Sequence, residues 1–201
     1  MRVCDAKSIA HTLSNTSKMG CFSYSIPAEF CVTGSKLRKI KGSVCYGCYA
    51  HKGSYAWSTT KQAMQKRYNA LEHGSWSEAM ATQINSKKKP WFRCHDSGDV
   101  QHEAHLMKIF EVCRLTPKVK HWLPTHEAWV LDYQDSAPDN LTIRFSLAMV
   151  EQARPAKTKW RCTSGVSAKD YTCPAPDQDN QCKECRLCWD KSVPHIIYKE
   201  H

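Results

Sequence analysis

The sequence predicts an α/β fold, a parallel sheet forming a partial (β/α) barrel with irregular, cysteine-rich segments at its N- and C-terminal ends. Three observations carry this reading. From Trp91 onward, short apolar strands alternate with helical stretches, and crossovers of that length imply parallel strands with right-handed connections. Seven of the 12 cysteines fall in two groups, Cys31, Cys45 and Cys48 near the start and Cys173, Cys182, Cys185 and Cys188 near the end. A chain of 201 residues with 41% hydrophobic and 24% charged residues can bury one sizeable core. We therefore expect a single domain over 1–201: a cysteine-rich arm over 1–58, an α/β core over 59–150 and a second cysteine segment over 151–201.

Residues 1–30 are rich in Ser and Thr with little periodicity and read as an irregular arm. Ala63, Met64, Tyr68 and Leu71 form a helical stripe that Thr59-Thr60 can cap and His73-Gly74 ends. Trp76, Met80 and Ile84 mark a second helix, closed by Lys87-Lys88-Lys89-Pro90, where cations suit the carbonyl end of the helix dipole. Trp91–Cys94 reads as a strand. Leu106, Ile109, Phe110 and Cys113 give a helix over 102–115, and Val119–Leu123 a second strand. A short helix over 128–133 leads to a third strand, in which Leu141, Ile143 and Phe145 alternate onto one face. Residues 152–181 read as loop. The tail from Trp189 carries Val193, Ile196, Ile197 and Tyr198, enough apolar surface to dock as a strand.

Lys and Arg number 29 against 19 Asp and Glu, a net charge of +10. Such a surface is compatible with nucleic acid or another acidic partner, and part of the excess can balance an anionic cofactor. No apolar run approaches the ~18 residues of a membrane span. The N-terminus has no secretory h-region, so no membrane and a cytoplasmic, reducing setting are expected. There, clustered thiols point to metal rather than to disulfides.

Cys182-x2-Cys185-x2-Cys188, with Cys173 nine positions upstream, is the stronger group, because closely spaced thiolates can wrap a 4Fe-4S cluster. Cys45-x2-Cys48 with Cys31 upstream makes a three-thiolate site, and three protein ligands would leave one iron open to a small molecule. One or two 4Fe-4S clusters are thus expected, with zinc as the alternative metal. Cys94 and Cys113 fit the core. Cys4, Cys21 and Cys162 stay open, and either of the last two could complete a site.

In parallel sheets, function gathers where strands end at their carboxyl side. The polar tips here are Asp96-Ser97-Gly98-Asp99, Thr125-His126-Glu127 and Arg144 with Ser146. Asp99, His126, Glu127 and Arg144 are therefore expected to line one mouth. Asp99 and Glu127 also have a plainer reading as helix-start residues.

The ordered segments Cys-x13-Cys-x2-Cys-Tyr-Ala, His-Asp-Ser-Gly-Asp, Leu-Pro-Thr and Cys-x8-Cys-x2-Cys-x2-Cys-Trp-Asp resemble the phage gene product 88 family. More distantly the chain is similar to the radical S-adenosylmethionine (SAM) superfamily. That resemblance implies a bacteriophage protein working in the host cytoplasm. It also implies a cluster on Cys31, Cys45 and Cys48 with SAM on its open iron, and Gly98 and Asp99 near the SAM amino group. An electron donor would then be a partner. The function expected is a radical-SAM-like iron–sulfur protein acting on an unknown substrate. A non-catalytic electron carrier or redox sensor, and a zinc-stabilised nucleic-acid-binding protein, are the alternatives.

Overall fold

The computed structural model describes residues 1–200. Its elements are α1 (Val3–Ala10), β1 (Ser14–Thr16), β2 (Cys21–Tyr24), α2 (Val32–Leu37), α3 (Ser58–Ala70), α4 (Trp76–Ser86), β3 (Trp91–Cys94), α5 (Glu103–Leu115), β4 (Lys120–Thr125), β5 (Leu141–Val150), β6 (Thr163–Ser167) and β7 (His195–Lys199). The seven strands form one sheet in chain order, β1 to β7. Only β1–β2 is antiparallel, and every later pair is parallel. When parallel neighbours follow chain order, right-handed crossovers all fall on the same face. The outcome is a singly wound sheet, the expected partial barrel.

Alternation along the strands assigns each face its cover. Tyr24, Phe92, Cys94, Leu123, Leu141 and Ile143 join Ala6, Ala10, Trp76, Met80, Leu106, Ile109 and Phe110 in one core, so α1, α4 and α5 cover this face. The opposite face carries Cys21 and Trp122, which pack with Met19 and Trp189 in a second cluster. There the C-terminal segment replaces helices as the cover. Trp189 lies edge-on to Trp91 and Trp122, and its Nε1 donates to the Phe92 carbonyl oxygen at 2.8 Å.

Arg144 holds that segment down. It is 0% exposed, and its guanidinium donates to the carbonyl oxygens of Thr163, Leu187, Asp190 and Val193 at 3.1–3.2 Å. Arg144 was expected at the mouth. Instead it clamps the C-terminal cover beside β5, because Thr142, Arg144 and Ser146 face away from the helices while Ile143 faces them.

Three expectations about elements change. Residues 1–30 are ordered, with α1, β1 and β2. Helix α1 is anchored by Ala6 and Ala10, small residues that give little apolar signal, and β2 alternates Cys and Ser because its second face is covered by the C-terminal segment. Residues 152–181 include β6, whose Thr-Ser-Gly-Val-Ser sequence lacks bulky residues although it is flanked by two strands. The helix after β4 is a 3₁₀ segment spanning Ala128–Ser136. Cys94 and Cys113 are core residues, 6% and 0% exposed.

Buried histidines set the pH response of this fold. Burial lowers His95 to about 4 and His121 to about 3, and lowers His105 and His126 in the same direction. The unfolded chain protonates them near 6.5, so between pH ~4 and ~6.5 it binds more protons than the folded chain and stability falls as pH falls. Asp99 has the opposite sign. Burial raises it to about 7 from 3.8, so the folded state keeps a proton that the unfolded chain releases, and this contribution falls as pH rises across that window. Four histidines outweigh one carboxyl. The urea midpoint is therefore expected to drop from pH 6.5 to pH 4, more steeply in Asp99→Asn. A flat midpoint over that range would contradict the assignment.

Candidate metal and ligand site at the carboxyl ends of the strands

The first cysteine group is assembled from two stretches. Cys31 is the N-cap of α2. Cys45 and Cys48 sit in a turn closed by Cys48 N–H on the Cys45 carbonyl oxygen at 3.2 Å. That turn is tied to the far end of β5 by the Ser43–Met149 bridge and by Val44 N–H on the Ala148 carbonyl oxygen at 2.9 Å. Gly34 lies between the thiols. A Cβ there would stand 3.7 Å from the Sγ atoms of both Cys31 and Cys45 and 2.9 Å from Cys31 Cβ. The missing side chain leaves a small cradle that both sulfurs border.

The expected tip residues surround this group in different roles. His126 Nδ1 meets the Ser146 carbonyl oxygen at 3.0 Å, and Nε2 lies 3.7 Å from Cys45 Sγ. A carbonyl oxygen can only accept, so Nδ1 carries the proton and the Nε2 lone pair faces the thiol. Asp99 accepts from Val100 N–H at 2.7 Å and His126 N–H at 2.8 Å, which fixes the loops after β3 and β4 to each other. Glu127 is 4% exposed, with one carboxylate oxygen on Thr33 N–H at 2.9 Å and the other on Thr33 Oγ at 3.0 Å. Expected to offer polar contacts to a ligand, it instead anchors the first turn of α2, and so Cys31 and Gly34. Gly98 has φ +86°, and its backbone packs against Ile26.

Asp96 is the residue that sequence reasoning passed over. Its carboxylate accepts from Ser23 Oγ and Tyr55 OH at 2.6 Å each, and from Ser25 Oγ. Tyr49, next to Cys48, donates its hydroxyl to the Asp96 carbonyl oxygen. Asp96 thus joins β2, the β3 tip and the cysteine turn. The signal was its place in the His-Asp-Ser-Gly-Asp tip, but its partners lie 41 and more residues away.

Electrostatics separate the two thiol groups. Burial raises Cys31, and Asp99, Cys48, Cys45 and Glu127 raise it further. Burial also pushes Cys45 up to about 12, again with Cys48 and Asp99 adding. Ionising these thiols together is costly unless a cation joins them. In the second group, burial raises Cys173 and Cys182, and the neighbouring thiols of the group, Cys185 among them, raise both further. Cys188 is pushed up to about 12 by burial and lies 3.2 Å from the Tyr198 hydroxyl. Lys18, Arg186, Arg93 and Arg144 oppose the rise around this group. Backbone bonds fix its loops, with Cys182 N–H on the Lys18 carbonyl oxygen at 2.8 Å and Cys173 N–H on that of Ile197 at 3.0 Å. Among the described residues, no three His, Cys, Asp or Glu side chains converge tightly enough to hold a single metal ion.

Neither Cys21 nor Cys162 completes the first group. Cys21 is buried in the aromatic cluster, with Cys182 and Cys188 packed against it. Cys162 Sγ faces the Lys191 carbonyl oxygen at 3.6 Å. Cys4 is exposed beside Asp5.

Fold and site together define a cysteine-rich α/β protein whose singly wound parallel sheet gathers thiols and buried acids at the carboxyl ends of its strands. The chain belongs to the gene product 88 family, whose family model matches residues 4–191. No curated protein and no solved structure matches it significantly. No helix among the described residues is long and apolar enough to cross a membrane.

Proposed function

We propose that the protein is an iron–sulfur protein of radical-SAM-like type. In this reading Cys31, Cys45 and Cys48 hold one 4Fe-4S cluster, and Cys173, Cys182, Cys185 and Cys188 hold a second. The observation that carries it is the approach of the Cys31 and Cys45 thiols to the Gly34 cradle, with Cys48 in the same turn as Cys45 and no fourth cysteine beside them. A tetrahedral zinc, with Zn–S near 2.3 Å, needs its sulfurs in tighter contact than a cluster that gives each thiolate its own iron. The close Cys-x2-Cys-x2-Cys spacing of the second group and the three-cysteine make-up of the first support the cluster reading.

Cys31, Cys45 and Cys48 would leave one iron of such a cluster free of protein ligands, and the cluster, once reduced by an external donor, would supply electron transfer to a bound sulfonium such as SAM. The chain's own part is positional. Glu127 holds Cys31 through Thr33, and Asp99 joins the two tips that face the thiols. Asp99 would be the carboxyl set near a ligand's ammonium, as the resemblance implies. Arg93 and Arg144 favour negative charge on the second group, which suits an electron relay fed by an external donor. His126 favours a second reading. Its Nε2 faces Cys45 and could close the first site as a fourth donor, which would make the protein an electron carrier or redox sensor.

The test is iron, sulfide and zinc analysis of anaerobically purified protein, with EPR of the reduced protein before and after adding SAM. About eight irons per chain and a SAM-dependent signal are expected. Cys45→Ala and Cys185→Ala should each remove about half of the iron. Colourless protein holding zinc would overturn both iron readings, and iron-loaded protein blind to SAM would leave the carrier.

A further inference from the structure

We infer that the protein binds single-stranded nucleic acid on the surface beside the first cysteine group, with Trp57 as a base-stacking platform and a cavity between α1 and α3 as a phosphate seat. Between Glu29 and Glu72 the chain has eight Lys and Arg and no Asp or Glu. Seven of these cations are exposed. The tertiary structure brings several of them together. Arg38 and Lys61 both lower His51, so the basic run after α2 lies near the start of α3. A Cβ on Gly47 would stand 3.9 Å from Lys52 Nζ, so a cation also adjoins the Cys45–Cys48 turn. Glu29 acts on His51 as well and is the carboxylate bordering this surface.

On the other flank of α3 lies a cavity of about 300 Å³ lined by Lys7, His11, Thr59, Gln62, Lys66 and Arg67, among others, with no carboxylate in its wall. Arg67 is 6% exposed, and its Nε donates to the Thr12 carbonyl oxygen at 2.9 Å. Lys66 and Arg67 both lower His11, so the cavity is positive well before any histidine protonates. Cations, hydroxyl and amide donors around one concavity suit a phosphate. Trp57, two residues before Thr59, is 65% exposed, and Tyr46 beside Cys45 is 55% exposed. Exposed aromatics interleaved with cations recognise unstacked bases, which a duplex keeps covered.

Fluorescence anisotropy with a labelled single-stranded 12-mer over a salt series tests this. Lys52→Gln/Lys61→Gln/Lys66→Gln should weaken binding at least ~10-fold and lower the slope of log K against log salt by about 2. Trp57→Ala should weaken it about 5-fold or more with the slope kept. Lys87→Gln/Lys88→Gln/Lys89→Gln removes the same charge at the far end of α4 and should change little. Equal loss from both triple variants, a silent Trp57→Ala, or preference for duplex or anionic vesicles would overturn the inference. Binding is read without reference to the thiols' metal, so iron content, measured on the same samples, can fail independently.

Discussion

Arg144→Met is expected to cost about 3–5 kcal/mol, the range for dismantling a buried charged hydrogen-bond centre. The guanidinium reaches four carbonyl oxygens on β6 and the C-terminal cover, and methionine leaves all four without this donor. An unpaired buried acceptor costs ~1–3 kcal/mol before relaxation. Arg144→Lys should rescue little, because a point-like ammonium cannot span two chain stretches as a planar fork does. Thermal unfolding should shift down by roughly 10 °C or more, and limited proteolysis should cut first within residues 168–194. A loss below ~1 kcal/mol would show that the cover is held by Trp189 and its aromatic neighbours instead.

Gly98→Ala is the second large effect. At φ +86° an alanine is already strained, and its Cβ would collide with Ile26 Cγ1 and stand 2.9 Å from the Ile26 carbonyl oxygen. Ile26 is 0% exposed, and its N–H donates to the Ser97 carbonyl oxygen at 3.1 Å, so neither partner can withdraw cheaply. Strain and overpacking each cost ~1–3 kcal/mol, and a total of about 3–5 kcal/mol is expected by urea unfolding. Ile26→Ala should restore part of it, since it removes the side-chain clash and leaves the backbone contact. A double-mutant cycle showing no coupling between the two positions would contradict this account.

These two residues show how the sequence and the structure divide the work. The His-Asp-Ser-Gly-Asp tip marked residue 98 as special, and a ligand contact was the natural reading. The structure gives Gly98 a packing reason that depends on Ile26, 72 positions away in the chain. Arg144 is similar. Its place on β5 was legible from the alternation of Leu141, Ile143 and Phe145, but what covers the other face of the sheet was not. Glu127 read equally as a ligand contact and a helix-start residue. It proved to anchor a helix start, although the helix is α2, from a distant part of the chain.

By itself the sequence determined the parallel α/β class, the strands at 91–94, 119–123 and 141–146, the helices marked by Ala63–Leu71, by Trp76–Ile84 and by residues 102–115, and the two thiol groups. Periodicity and local spacing are properties of neighbours along the chain, and large apolar residues report them directly. Tertiary structure decided the rest. Strand β2 sets Cys21 against the C-terminal segment, and β6 has Val166 as its one sizeable apolar residue, so alternation was silent there. Whether a buried acid or arginine touches a ligand or braces a loop depends on which carbonyl or hydroxyl arrives from elsewhere. That is settled by the sheet order, which brings residues 31, 45, 99 and 126 together at the carboxyl ends of the strands and sends residue 144 to the cover.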